Sequence, residues 1–188
     1  MNVRIVGIGG SVDAGSQSEA ALRAVLARAE LRGATTQIFT GAGVDFPPFY
    51  TGVQIPAQAT DYLQAVRASH AVVISSPGYH GTISGVVKNA LDYLEELRGD
   101  ERPYLDGRAV GLVAVARGWQ ASVNTLATLR QITHALRGWP TPYGVTVNST
   151  VTRFDENFET DDEGSRRSLD LMAAQMIEFA SKMGSITS

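Results

Sequence analysis

Short apolar runs alternate with helical stripes along the whole chain, and this alternation restricts the fold more than any other feature of the sequence. Residues 3–8, Thr35–Phe39, 71–75, Ala109–Ala116 and 143–147 are β-rich runs of strand length. After the first of them, Leu22, Val25, Leu26 and Ala29 recur at helical spacing, and Gly33 ends the pattern. Ala57–Ala68 reads as a second helix, and Val87, Ala90, Leu91, Leu94 and Leu97 form the stripe of a third that stops near Gly99. A fourth covers about 122–136, and Leu169, Met172, Ala173, Met176, Ile177 and Ala180 mark the last. The run Ala109–Ala116 is apolar throughout, as in strands covered on both faces. Strict βα alternation predicts an α/β chain with a parallel sheet between two helical layers.

Five strands of this size most resemble the three-layer, doubly wound, flavodoxin-like arrangement with strand order 2-1-3-4-5, whose ligand sits at the switch between strands one and three. The 188 residues fit one domain spanning 1–188. A net charge of −3 offers no basic footprint for nucleic acid. The absence of cysteine removes disulfides, thiolate metal sites and thiol nucleophiles, in keeping with a cytoplasmic protein. The start of the chain reads as a first strand and not as a signal peptide, and no apolar run approaches the ~20 residues of a membrane span. His70, His80 and His134 lack metal-site spacing, so no metal is expected.

In such a sheet the loops after strands one, three and four open on one edge. The first offers Ser11, Ser16 and Ser18 beside the amides of a helix start, a setting that suits phosphate. Ser16 and Glu19 also have capping-box spacing, so simple capping fits equally well. Val12 stands where a dinucleotide fingerprint needs glycine, and no Walker loop occurs. The second loop, 76–84, places Tyr79 and His80 between Gly78 and Gly81, which lets the backbone approach a flat ligand. The third carries Arg117, Gly118 and Trp119. The Gly- and Pro-rich segment 40–56 is a loop of a length that tends to be functional. The acid-rich segment 155–163 reads as a solvated loop, and Lys88 and Asp92 as an i,i+4 surface pair.

These residues resemble the NAD(P)H-dependent FMN reductases. The run from Ser76 to Asp92 (S-P-G-Y-H-G-T-I-S-G-V-V-K-N-A-L-D) matches the family pattern Pro-x-Tyr-Asn-x-Ser-x-x-Gly-x-x-Lys-Asn-x-x-Asp. The resemblance implies that Pro77, Gly78, Tyr79, His80, Gly81 and Thr82 line the isoalloxazine ring of FMN. It implies that Ser11, Ser16, Gln17 and Ser18 serve its phosphate, and that Lys88 and Asp92 lie on a helix used in homodimer or homotetramer contacts. The family's first-loop pattern, Gly-Ser-x-Arg-x-x-Ser-x-Asn, meets Gly10-Ser11-Val12-Asp13-Ala14-Gly15-Ser16-Gln17-Ser18, so Asp13 replaces an arginine and Ser18 an asparagine. A carboxylate beside a phosphate is unfavourable, so Asp13 must turn outward or FMN binds more weakly. Arg117 is expected beside the flavin pyrimidine or at the phosphate, and Trp119 against the nicotinamide pocket or packed on the fourth helix. The implied reaction is hydride transfer from NADPH or NADH to flavin N5, with no catalytic side chain. Reduced FMN would serve a quinone or azo acceptor or a partner monooxygenase. A flavodoxin-like electron carrier without NAD(P)H activity remains the alternative.

Overall fold

The computed structural model describes residues 2–13, 15–52 and 54–186. Strands β1 (Arg4–Gly9), β2 (Thr35–Phe39), β3 (Ala71–Tyr79) and β5 (Ala109–Ala116) form the parallel centre of the sheet in the order β2-β1-β3-β5. The short β4 (Thr82–Ile83) pairs antiparallel with the end of β3. Beyond β5 the expected fifth strand is present in two pieces, β6 (Trp139–Pro140) and β7 (Val145–Asn148), both parallel to β5. The layout is therefore the predicted 2-1-3-4-5 order with a broken outer strand. Between the pairs Val110–Pro140 and Val113–Val145, β5 advances three residues and its neighbour five. The excess falls in the 141–144 stretch, which holds Pro142, a residue with no N–H to donate to a ladder.

Helices α1 (Gln17–Glu30) and α5 (Glu163–Ile186) cover one face; α2 (Ala57–Ala68), α3 (Gly85–Asp92) and α4 (Trp119–Ala135) cover the other. The central strands serve both layers with period two. Val72 and Ile74 of β3, with Val110, Leu112 and Ala114 of β5, face α2–α4. Ala71 and Val73, with Ala109, Val113 and Val115, face α1 and α5. A strand buried on both faces has no polar positions, which is why these runs carry no alternation in the sequence.

Two segments differ from the expectation. The long loop after β2 is a packing element: Phe46 is buried and its ring lies 5.0 Å from that of Tyr93, while Phe49 lies 5.1 Å from the same ring. Asn89 of α3 holds it by donating to the carbonyls of Phe46 and Pro47 and accepting from the N–H of Phe49. The acid-rich 155–163 segment, expected to be solvated, is tied down. Glu159 meets the buried Arg28 at 3.0 Å. Asp162 caps α5, accepting from the N–H groups of Gly164 and Ser165 and from the hydroxyls of Thr152 and Ser165. Glu159 gives the buried Arg28 guanidinium a counter-charge and Asp162 gives the start of α5 its acceptors, so these two acids are structural.

His70 precedes β3 and joins it to β1: its Nδ1 accepts the N–H of Arg4 at 2.9 Å, and its own N–H reaches the carbonyl of Arg4. Burial, and then the charges of Arg4, Arg102 and Arg108, hold the imidazole below its usual pKa. The unfolded chain titrates this group near ~6.5, so below that pH it binds more protons than the folded chain. The contribution to stability is present above about pH 6.5 and is lost as pH falls through the lowered folded value. In thermal melts across this range, His70→Asn should flatten the acid-side loss of Tm, since its amide oxygen can accept the same bond. Parallel pH profiles for the two proteins would refute this role.

Candidate functional site

The site begins where β1 ends. Gly9 has φ 127° and Gly10 φ 86°, and the N–H of Gly10 donates to the carbonyl of Ser75 on β3 at 3.0 Å. The chain thus leaves the sheet at the β1–β3 switch point. The buried Ser75 donates its hydroxyl to the carbonyl of Ser18 at 2.8 Å, pinning the first turn of α1 to β3. Ser16 caps that turn, its Oγ accepting the N–H of Glu19 at 3.2 Å and lying 3.1 Å from the hydroxyl of Ser18. The reciprocal half of the expected capping box is not made; Glu19 pairs instead with Arg23 at 2.8 Å. Ser11 is buried, accepts the N–H of Asp13 and lies 3.4 Å from its carboxylate. The Asp13 side chain is thus exposed and directed back on its own loop. Ala14 of the first-loop pattern lies outside the described residues.

The second loop is shorter than expected, because β3 continues to Tyr79 and closes on β4. Only His80 and Gly81 form the turn, with φ 48° and 90°. A two-residue hairpin with both φ values positive is the tight turn that matches strand twist, and it tolerates Gly, Asn and occasionally His. The family pattern has Asn where this chain has His80. The conformation of the turn accounts for both residue types. The hairpin lies against α4, where the Thr125 hydroxyl donates to the carbonyl of Thr82 at 3.4 Å.

These elements enclose a cavity of ≈ 440 Å³. Ser11, Asp13, Ser16, Gln17 and Ser18 form its polar end. Pro77, Gly78 and Tyr79 form one wall; Val115, Ala116 and Ala121 make it apolar; Arg117, Gly118 and Ser149 close it. The volume lies in the range of small-molecule sites. Polar hydroxyls and a helix start at one end, with apolar surface and a half-exposed tyrosine at the other, suit a phosphate joined to a flat ring, and the residues present fit FMN.

Nine of the thirteen binding residues named from the sequence line this cavity: Ser11, Ser16, Gln17, Ser18, Pro77, Gly78, Tyr79, Arg117 and Gly118. His80, Gly81 and Thr82 lie beyond its wall on the hairpin tip. Trp119 is the first residue of α4 and lines a neighbouring cavity with Tyr143 and Leu171. The amide of Gln17 is engaged with the backbone of Phe154, accepting at 2.8 Å and donating at 3.3 Å. Lys88 and Asp92 form the expected i,i+4 pair at 2.5 Å. Sequence reasoning missed Ser149, which follows β7. The rule that parallel strands open their loops on one edge applies to the fifth strand as well, and would have found it.

The pattern of the NADPH-dependent FMN reductase family matches residues 3–152. An FMN-dependent NADPH-azoreductase of Staphylococcus haemolyticus is 29% identical over 128 residues, covering 67% of this chain and 64% of that protein. One from Staphylococcus aureus is 29% identical over 112 residues, covering 60% of this chain and 53% of its own length. The chain thus spans just over half to just under two thirds of these relatives. Among solved structures, an apo NADH:FMN oxidoreductase superposes with a TM-score of 0.72 at 18% identity, covering 93% of this chain and 90% of that one. A flavodoxin, WrbA-like protein of Agrobacterium tumefaciens gives 0.66 at 16% identity, covering 97% and 99%. The fold is that of the flavodoxin-like flavoproteins, and the chain belongs to the NADPH-dependent FMN reductase family.

Proposed function

We infer that this chain binds FMN in the cavity at the β1–β3 switch and acts as an NAD(P)H-dependent oxidoreductase. The observation that carries the reading is the cavity itself, where the capped first turn of α1 meets the Pro77–Gly78–Tyr79 wall. FMN held there would supply the redox chemistry, hydride acceptance from a nicotinamide and electron transfer to a second substrate. Ser11, Ser16 and Ser18 receive the phosphate together with the free N–H groups of the helix start. The backbone of 77–79 positions the ring, and Val115, Ala116 and Ala121 keep water from one side of it. Tyr79, half exposed at the rim, marks where a nicotinamide would enter. Arg117 supplies positive charge between the ring and phosphate ends. No side chain of the cavity is needed as an acid or base.

An azo or quinone acceptor is favoured as the second substrate, because the curated relatives are azoreductases. Supply of reduced FMN to a monooxygenase, assembly as a homodimer or homotetramer through the α3 face, and a cytoplasmic location rest on family likeness. No described helix is long and apolar enough to cross a membrane.

The test is spectroscopic. Added FMN should show quenched fluorescence with the purified protein, and its visible absorbance should bleach anaerobically with NADPH or NADH and return with an azo dye or quinone. FMN bound but not bleached by either nucleotide would point to an electron carrier. Absence of binding would remove the reading.

A further inference from the structure

A second cavity of ≈ 450 Å³ adjoins the first, walled by Gln17, Arg117, Ser149, Thr150 and Arg153. Gln17, Arg117 and Ser149 line both, so the two are contiguous. This wall holds two guanidinium groups and no carboxylate. Many arginines of the chain are engaged: Arg28, Arg67 and Arg167 pair with carboxylates, Arg108 bonds to carbonyls, and Arg137 stacks over Tyr104. Arg117 and Arg153, by contrast, make no hydrogen bond or ion pair among the described residues. Two like charges facing one cavity repel, and an anion between them reverses the sign of that interaction.

The backbone that presents Arg153 is firmly held. Thr152 and Phe154 on either side are buried; the Thr152 hydroxyl donates to Asp162 at 2.7 Å, and Phe154 is bonded in both directions to Gln17. The buried Asn148 accepts from both the N–H and the hydroxyl of Thr150. Ser149 donates its N–H to the carbonyl of Ala116, next to Arg117, at 2.8 Å. The last strand-end loop is therefore built onto the edge of the first cavity, with Arg153 lining the second.

We propose that this second cavity is a subsite for a phosphate monoester, with Arg117 and Arg153 as its cations and Ser149 as a hydroxyl partner. The loop after β1 carries Asp13 and no arginine, and the cations of this edge stand on the loops after β5 and β7. A phosphate monoester carries about −1.5 to −2 charge, and the planar fork of a guanidinium matches its oxygens. Two ligands of the proposed reaction bear such a group, FMN and NADPH; the FMN phosphate is already received by Ser11, Ser16 and Ser18, which leaves the ribose 2′-phosphate of NADPH for this wall. The proposal rests on the FMN reading for the identity of these ligands, but its test separates the two.

Dissociation constants would be measured for FMN against riboflavin and for 2′-AMP against adenosine, using the wild type, Arg153→Met, Arg117→Met and Arg153→Lys. Each methionine variant should weaken 2′-AMP by about tenfold or more while leaving adenosine unchanged. Arg153→Lys should fall between, since it keeps the charge and loses the fork. A loss for 2′-AMP assigns the subsite to NADPH; a loss confined to FMN in Arg153→Met, at a residue that lines only the second cavity, would overturn that assignment. Both arginines are exposed, so equal melting temperatures would verify the fold. Ratios within about twofold of wild type for both pairs in both methionine variants would overturn the proposal. Failure of the wild type to bind FMN would remove the flavin reading and leave the adenosine pair to decide this one.

Discussion

Replacing Gly9 by alanine is expected to lower folding stability by about 3 kcal/mol or more and to abolish FMN binding at ambient temperature. Two effects add. The residue has φ 127°, a conformation that L side chains rarely adopt. A Cβ there would also lie 1.9 Å from the carbonyl oxygen of Ser75. That oxygen cannot retreat, because β3 is held between β1 and β5 and the Ser75 hydroxyl is bonded to α1. Any relief must separate β1 from β3 at the switch point where the cavity opens. Gly15→Ala is the matched control: its φ is 73°, but nothing lies within 4 Å of the added carbon, so only about 1 kcal/mol of backbone strain applies. Urea denaturation of both variants checks the contrast. Equal losses would show that the close approach to Ser75 is unimportant.

Arg108→Met is expected to cost about 3 kcal/mol while leaving the FMN affinity of the folded protein unchanged. Arg108 is 1% exposed and has no carboxylate partner. Its guanidinium donates to the carbonyls of Val66 and Arg67 at the end of α2 and to those of Tyr104 and Asp106 in the turn before β5. The negative end of the α2 dipole and these carbonyls keep the cation in place, although burial pulls its pKa down to about 10. Methionine fills much of the volume but leaves the Arg67, Tyr104 and Asp106 carbonyls without this donor. Arg108→Lys should recover part of the loss, since an ammonium group reaches fewer acceptors. The residue precedes β5, at the opposite end of that strand from Ala116 and the cavity, so stability and binding should separate. A parallel loss of FMN affinity at a temperature where the variant is folded would contradict that separation.

The contrast between the two positions follows how much of the molecule is legible in one dimension. Buried strands and helical stripes have periods of two and 3.6, so Ala109–Ala116 and the 169–180 stripe announce their layers locally. The loops after β1, β3 and β5 could be placed on one edge because alternation implies a parallel sheet. The hairpin at Tyr79–Thr82 was hidden, because its strands are only as long as the turn allows and His80 is an uncommon residue at positive φ. The role of Arg108 was hidden too, since nothing in the sequence near it indicates that the end of α2 lies alongside.

For the cavity lining, local pattern sufficed to bring together Ser11, Ser16, Ser18 and the 77–79 wall, each of which sits at the end of a strand or the start of a helix. It did not suffice for Trp119, whose place at the first turn of α4 directs it to the next cavity, nor for Ser149 and Arg153. Ser149 is set by the pairing of β7 with β5, and the segment holding Arg153 is tied in by the Gln17–Phe154 bonds across 137 residues of chain. The sequence by itself determined the layered α/β fold, the strand order and the switch-point edge where the cavity opens, because these depend on periodicity and chain direction. The tertiary structure alone decided which loops share the cavity wall and where the free positive charge collects, because those depend on contacts between residues that no local pattern relates.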